Sequence, residues 1–210
     1  MKKALLILSF MILFSCKKEK MLTEEQLGNV IVERDVNKID SDTIRLKNNR
    51  QPFFDFDKIM YYHLDITIEE IIRLSEEYQK SGGNTEILGM LSSDVTNESL
   101  TDAIFLNDIK KLYPVNREIN KKDFGKVKEI FSDRYNGNYS VTTCMPYYID
   151  ILIFTNDNKV SGIAKICFEC GKFSIAGTDR NTERFGQNGD YGKLMYTLEP
   201  YLPLGSKLHL

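Results

Sequence analysis

Two cysteines, Cys167 and Cys170, stand three positions apart in the apolar segment AKICFECGKF, residues 164–173. Such a C-x-x-C pair can be half of a zinc site, a redox motif, a haem attachment point or a disulfide. Haem attachment requires a histidine directly after the second cysteine, and Gly171 stands there instead. A thioredoxin-like pair begins a helix, which lowers the pKa of its first thiol, whereas strand-like sequence follows here. A disulfide and a zinc site are the two interpretations that remain.

These two interpretations differ in the role of Cys144. Zinc needs four ligands, so Cys144 would be the third, and His63, His209 or a carboxylate the fourth. The sequence contains no second C-x-x-C, and disulfides persist in exported proteins. We therefore predict a disulfide between Cys167 and Cys170, with Cys144 left as an odd thiol and no cofactor; zinc is the alternative.

The predicted disulfide requires the chain to reverse at the motif. In a straight strand, positions three apart are about 10 Å apart, which exceeds the roughly 7 Å that a disulfide can bridge. Phe168-Glu169 could form a two-residue turn, although it lacks the glycine or asparagine that tight hairpins favour. A longer loop would place Gly171 in the left-handed conformation. Both alternatives predict a turn between two strands.

Asp150 is an acid inside the apolar run YYIDILIF. Asp157 and Asn158, downstream, are residue types that tolerate positive φ and favour a two-residue hairpin turn. Counted back along both strands from that turn, Asp150 lies opposite Lys165. We predict a structural ion pair between them at the rim of a sheet. The functional alternative is that Asp150 is a pocket acid with a raised pKa.

The segment RFGQNGDYGKL, residues 184–194, is a candidate binding loop ahead of a helix. Its Gly186, Asn188, Gly189 and Asp190 could present backbone N–H groups to an anion. The glycine spacing fits neither the dinucleotide nor the P-loop fingerprint. We favour the simpler interpretation, a turn with Asp190 as the helix cap, and we assign no catalytic residue.

Hydrophobic periodicity predicts the elements that position these residues. An aromatic strand covers 53–66, and a capping box at Thr67 begins a helix that Gly82 and Gly83 end. Further helices are predicted over 85–91, 102–113, 122–133 and 190–198. From residue 138 the period switches to two, which predicts a C-terminal antiparallel meander. The expected fold is α+β, with helices packed mainly on one face of an antiparallel sheet.

The N-terminus has the pattern of an export signal. Lys2 and Lys3 precede an uncharged apolar stretch, Ala4 to Ser15, which is shorter than the about 20 residues that span a bilayer. The tetrapeptide Leu13-Phe14-Ser15-Cys16 resembles the lipobox of bacterial lipoproteins. That resemblance implies a signal peptide over 1–15, a lipidated Cys16 with palmitate among its acyl chains and a tether over 16–22. The remaining length suits one domain, the α+β domain, over 23–210. The lipobox resemblance also implies a cell-envelope location, which we place at the outer membrane.

Charge and a second resemblance bear on function. Without Lys2 and Lys3, the chain has 26 basic and 30 acidic residues. The resulting net charge of −4 argues against a nucleic-acid partner. The segments DILIFTNDNKVSGIAKICFEC and RFGQNGDYGKL, and around them residues 100–199, resemble small uncharacterised bacterial lipoproteins. This resemblance brings no known activity with it. We predict a non-enzymatic binding or interaction module held at the membrane by its lipid. The alternatives are a metal- or thiol-dependent enzyme centred on Cys144, Cys167 and Cys170, and an envelope inhibitor or immunity-type protein.

The lipobox resemblance generates the first testable prediction. Replacing Cys16 with Ser removes the thiol that would carry the acyl chains, and several chains are needed for firm anchoring. We expect the Cys16→Ser protein to lose labelled palmitate and to leave the membrane fraction. The Ser15→Ala protein keeps a small residue before the cysteine and is the matched control, which should stay labelled. Unchanged labelling of Cys16→Ser would contradict the lipobox interpretation.

Overall fold

A computed structural model describes residues 50–82, 85–133, 143–186, 189–204 and 206. These residues fall in one compact unit. The strands in these ranges are β1 (Lys58–His63), β2 (Val115–Glu118), β3 (Asp150–Asn156), β4 (Lys159–Cys167) and β5 (Lys172–Ala176). The α-helices there are α1 (Ile68–Ser81), α2 (Thr85–Ser92), α3 (Ala103–Leu112), α4 (Phe124–Ile130) and α5 (Asp190–Leu198). Short 3-10 turns cover Asn97–Leu100, Lys121–Asp123 and Glu199–Tyr201.

The strands form one antiparallel sheet in the order β2-β1-β3-β4-β5. The predicted α+β class is confirmed, as is the C-terminal meander, which β3, β4 and β5 form. β1 completes the centre of the sheet by pairing with β3, so that His63 lies opposite Asp150. The edge strand β2 has the short polar sequence VNRE, which carries no strand periodicity and was not predicted.

Helix ends follow the capping signals in the sequence. At the start of α1 the Thr67 hydroxyl accepts a hydrogen bond from the Glu70 amide, and the Glu70 carboxylate accepts one from the Thr67 amide, at 3.2 and 2.8 Å. This reciprocal pair is the predicted capping box. At the other end of α1, Gly82 has φ 66° and donates its N–H to the Tyr78 carbonyl, as expected of a left-handed C-terminal cap.

The β3–β4 hairpin confirms the predicted turn but not the predicted register. Asp157 and Asn158 have φ of 49° and 61°, as a two-residue hairpin turn requires. A bulge after Phe154 then shifts the pairing by one residue, so that Asp150 lies opposite Ile166 and Lys165 opposite Ile151. Because side chains alternate between the faces of a sheet, Asp150 and Lys165 belong to opposite faces. The predicted Asp150–Lys165 ion pair is therefore wrong.

Helices among the described residues cover both faces of the sheet, three on one face and two on the other, whereas we expected them mainly on one face. Helices α1, α2 and α3 pack on the face that carries Ile151, Ile153 and Ile163. Helices α4 and α5 pack on the face that carries Leu152, Phe154 and Ile166. On this second face the ring of Phe54 lies against Gly162, where an added Cβ would stand 2.3 Å from the ring. A larger residue at position 162, one residue beyond the bulge, would collide with this ring, so glycine is required there.

Lys165 is buried on the three-helix face, where it serves as a structural cation. Its Nζ donates to the carbonyls of Met90 and Ser93, at the C-terminal end of α2, and lies 4.9 Å from the centre of the Tyr148 ring. A cation at a helix C-terminus is favoured by the helix dipole. Burial lowers the pKa of Lys165 to about 8, and the nearby charge of Asp94 opposes this shift.

No helix among the described residues is long and apolar enough to cross a membrane. The predicted signal peptide, the tether and Cys16 lie outside the described residues, as does all of the stretch 23–49 that we assigned to the domain. Those assignments stay predictions. The structure tests the predictions that concern the sheet and its helices, which lie within the described residues.

Candidate functional site

A cleft of about 1140 Å³ opens at the end of the sheet where β1 and β4 finish and β3 begins. Four chain segments line it: residues 63–72, residues 144–150, the β4–β5 turn, and the stretch that follows α5. The 144–150 segment is held in place from two sides. Ile149 accepts a hydrogen bond from the Leu64 amide at 3.0 Å, and Tyr148 donates its amide to the Leu91 carbonyl at 2.7 Å.

Asp150 and His63 form the floor of the cleft and are almost fully buried, with exposed fractions of 0% and 3%. The Oδ1 atom of Asp150 accepts a hydrogen bond from the Tyr61 hydroxyl at 2.5 Å and one from His63 Nδ1 at 2.8 Å. Its second oxygen, Oδ2, has no hydrogen-bond partner among the described residues. A residue that lines the cleft therefore carries a buried carboxylate oxygen without a donor in the described part of the chain.

The register of β1 and β3 explains why these three side chains meet. His63 lies directly opposite Asp150, and Tyr61 lies opposite Leu152, one pleat further along the same face. Burial, together with the adjacent Asp150 carboxylate, raises the pKa of the Tyr61 hydroxyl far above its ordinary value. Tyr61 thus stays a proton donor. The other ring nitrogen of His63, Nε2, has no partner among the residues that the structure describes.

The location of Asp150 agrees with the functional interpretation of the sequence, which placed it in a pocket. His63 entered that reasoning only as a possible fourth zinc ligand, and its pairing with Asp150 was missed. The one signal in the sequence was the spacing of Tyr61 and His63, which puts both on one face of a strand. The sequence contains no signal that predicts the pairing of β1 with β3.

The walls of the cleft are largely apolar. Side chains that line it include Leu64, Ile66, Ile68, Ile71, Tyr147 and Ile149. Three large apolar side chains at its edge are well exposed: Ile72 at 50%, Met145 at 68% and Leu204 fully. Exposed apolar groups collected at one place mark an interaction site more often than scattered ones do.

The charged residues of the cleft are all acidic. Besides Asp150, the carboxylates of Asp65, Glu69 and Glu169 line it, and the described lining residues include no lysine or arginine. The N-terminus of α1 also borders the cleft, but the Thr67–Glu70 capping box occupies two of its amide donors. The local field therefore favours positive charge.

The cysteines differ from the prediction in their pairing. The structure contains a disulfide between Cys144 and Cys170, with a Cα–Cα distance of 5.7 Å, and leaves Cys167 as a buried free thiol. The predicted Cys167–Cys170 disulfide is wrong, although the predicted chain reversal is confirmed.

The loop length gives the physical reason for the different pairing. Four residues, Phe168 to Gly171, form the turn, with Gly171 at φ 57°. Cys167 consequently pairs with Lys172 across the strands, and Cys170 sits on the turn itself, beside the 144–150 segment. The bond joins two segments that line the cleft.

The disulfide changes how the three cysteines can act. With Cys144 and Cys170 bonded to each other, the three sulfurs do not form the thiolate set that zinc would require. The third, Cys167, packs with Tyr148 and Cys170, and burial raises the pKa of its thiol. A raised pKa makes a thiol a poorer nucleophile at neutral pH. Among the described residues no group of three or more His, Cys, Asp or Glu side chains could hold a metal ion.

Of the candidate binding loop, the described residues Gly186, Gly189 and Asp190 do not line the cleft. Gly186 has φ 84° and lies so close to the Tyr191 ring that an added Cβ would stand 2.0 Å from it. Gly189, at φ 75°, is the N-terminal cap of α5, and Asp190 is the buried first residue of that helix. The expectation that Asp190 would be the cap is thus wrong by one residue. Asn188 lies outside the described residues.

No protein-family model, curated protein or solved structure matches this chain. The resemblances noted in the sequence stay predictions, and function has to be argued from the cleft itself.

The observed disulfide generates a prediction about thiol chemistry. In the unfolded, unreduced Cys16→Ser protein we expect one reactive thiol, and peptide mapping should place it at Cys167. Cys167→Ala should then show no free thiol, while Cys144→Ala, the matched variant that removes a bonded partner, should show two. A mapped Cys167–Cys170 bond would contradict the structure.

Proposed function

We propose that this protein is a lipid-anchored envelope protein that binds a small molecule in the cleft. The observation that carries the proposal is the combination of apolar walls with a buried, oriented polar floor at Asp150 and His63. Ligand pockets have this composition: mostly apolar surface with a few convergent polar groups that fix the orientation of the ligand. The volume, about 1140 Å³, leaves room for a drug-sized molecule.

The envelope location is supported by two independent features. The lipobox resemblance at Leu13–Cys16 implies export and acylation. The structure contains the Cys144–Cys170 disulfide, and disulfides persist in oxidising compartments and are rare in the cytosol. A tethered domain with a cleft could hold its ligand close to the membrane surface.

Binding accounts for the cleft better than thiol chemistry does. The thiol-dependent alternative depended on Cys144, Cys167 and Cys170 acting together, and two of these sulfurs are bonded to each other. The polar groups that do converge, Tyr61, His63 and Asp150, are linked in a hydrogen-bonded chain at the floor. Such a chain fixes one acceptor in position, as ligand recognition requires.

The proposal predicts that an apolar probe binds in the cleft and depends on its wall. Phenylbutanol, which is neutral, should show saturable binding by calorimetry to the full-length lipidated protein in nanodiscs, with protein-free nanodiscs as the blank. Ile72→Asp replaces a half-exposed wall residue with a hydrated charge. We expect it to weaken the probe about tenfold, the loss expected for one buried aliphatic contact.

Ile104→Asp is the matched control, because Ile104 is an exposed helical isoleucine, 74% exposed, that does not line the cleft. This variant should bind the probe like the unmodified protein. Absence of saturable binding, or equal loss in both variants, would contradict the proposed function.

A further inference from the structure

We infer that the cleft selects organic cations: molecules with an apolar body and a positively charged ammonium group that reaches Asp150. This inference rests on the proposed function, because it names the class of ligand that the cleft would take. It follows from the charges of the lining residues, from one buried acceptor and from the aromatic side chains of the cleft.

The lining charges give the first argument. Asp65, Glu69, Asp150 and Glu169 line the cleft, and no lysine or arginine stands beside them among the described residues. A concave surface lined by one sign of charge concentrates field lines and attracts the opposite charge. Whatever the protonation of His63, the four carboxylates leave the lining negative.

The second argument comes from Asp150. Its side chain is fully buried, and Oδ2 has no hydrogen-bond partner among the described residues, while Oδ1 already accepts from Tyr61 and His63. A buried polar atom without a partner is costly, and a buried carboxylate oxygen is especially so. An ammonium N–H would give this oxygen a charge-assisted hydrogen bond, the strong kind. A carboxylate or phosphate on the ligand would meet repulsion at the same place.

The third argument comes from the aromatic and apolar side chains of the cleft, which suit the ammonium group and the apolar body of such a ligand. Tyr147 and Phe168 line the cleft, and the faces of aromatic rings attract cations. Isoleucines at 66, 68 and 71 and the exposed Ile72 offer apolar contact to the body of the ligand. The α1 N-terminus, which would otherwise attract an anion, directs its Thr67 and Glu70 amides to its own capping box.

The test uses three probes that share one apolar body and differ in charge: phenylbutylammonium, phenylbutanol and phenylpentanoate. Each is titrated calorimetrically into the full-length lipidated protein in nanodiscs, with protein-free nanodiscs as the blank. The ammonium probe should bind about tenfold more tightly than the alcohol, as one favourable charge contact implies. The carboxylate probe should bind more weakly than the alcohol.

Two variants locate the effect. Asp150→Asn should remove most of the preference for the ammonium probe over the alcohol, because the amide keeps the shape of the carboxylate but carries no charge. Glu169→Gln changes an exposed turn residue, so it does not threaten the fold, and it should weaken the ammonium probe about threefold. Glu118→Gln, on the edge strand β2 and away from the cleft, is the matched control and should change nothing.

The possible failures are distinguishable. Equal affinity for all three probes, with the Ile72→Asp effect intact, would overturn the cation inference and leave the proposed binding function standing. Tighter binding of the carboxylate probe would overturn the inference in the same way. No saturable binding of any probe would overturn both. An ammonium preference that Asp150→Asn and Glu169→Gln leave untouched would place the charge recognition outside the cleft and also count against the inference.

Discussion

The carboxylate of Asp150 is fully buried and is held there by the Tyr61 hydroxyl and His63 Nδ1. Burying a carboxylate is costly unless hydrogen bonds compensate, so this acid is tolerable only while β1 stays in register beside β3. The same three side chains join the centre of the sheet to the floor of the cleft. Loss of one donor would remove one of the two hydrogen bonds that compensate the buried charge, at about 1.5–3 kcal/mol. Sheet registration and the proposed ligand site thus depend on one interaction.

A single extra residue decides which charges meet. The bulge after Phe154 shifts β4 by one position against β3, which sends Asp150 to one face of the sheet and Lys165 to the other. The two buried charges are then compensated by different hydrogen bonds. Asp150 accepts hydrogen bonds from side chains of β1, and Lys165 donates hydrogen bonds to carbonyls at the end of α2. Because the two charges are kept apart, no lysine or arginine stands beside Asp150 among the described lining residues, which is the condition on which the proposed cation selectivity rests.

Local signals in the sequence were sufficient for much of the fold. The Asp157-Asn158 turn, the Thr67 capping box and the span of α5 depend on neighbouring residues and were predicted correctly. The bulge, the pairing of β1 with β3 and the Cys144–Cys170 bond depend on contacts between distant segments, which periodicity does not encode. The site was predicted in part for this reason: Asp150 stood out as an acid in an apolar run, whereas its partner His63 lies 87 residues away.

The central claim is that Asp150 receives a positively charged ligand group in the cleft. A crystal structure of the full chain with phenylbutylammonium bound tests this most directly. The account predicts the ammonium nitrogen within hydrogen-bond distance, about 2.7–3.0 Å, of Asp150 Oδ2, with the phenyl ring against the isoleucines of the wall. A bound probe whose ring lies on the floor while its ammonium group points into solvent would contradict the account, as would binding only outside the cleft.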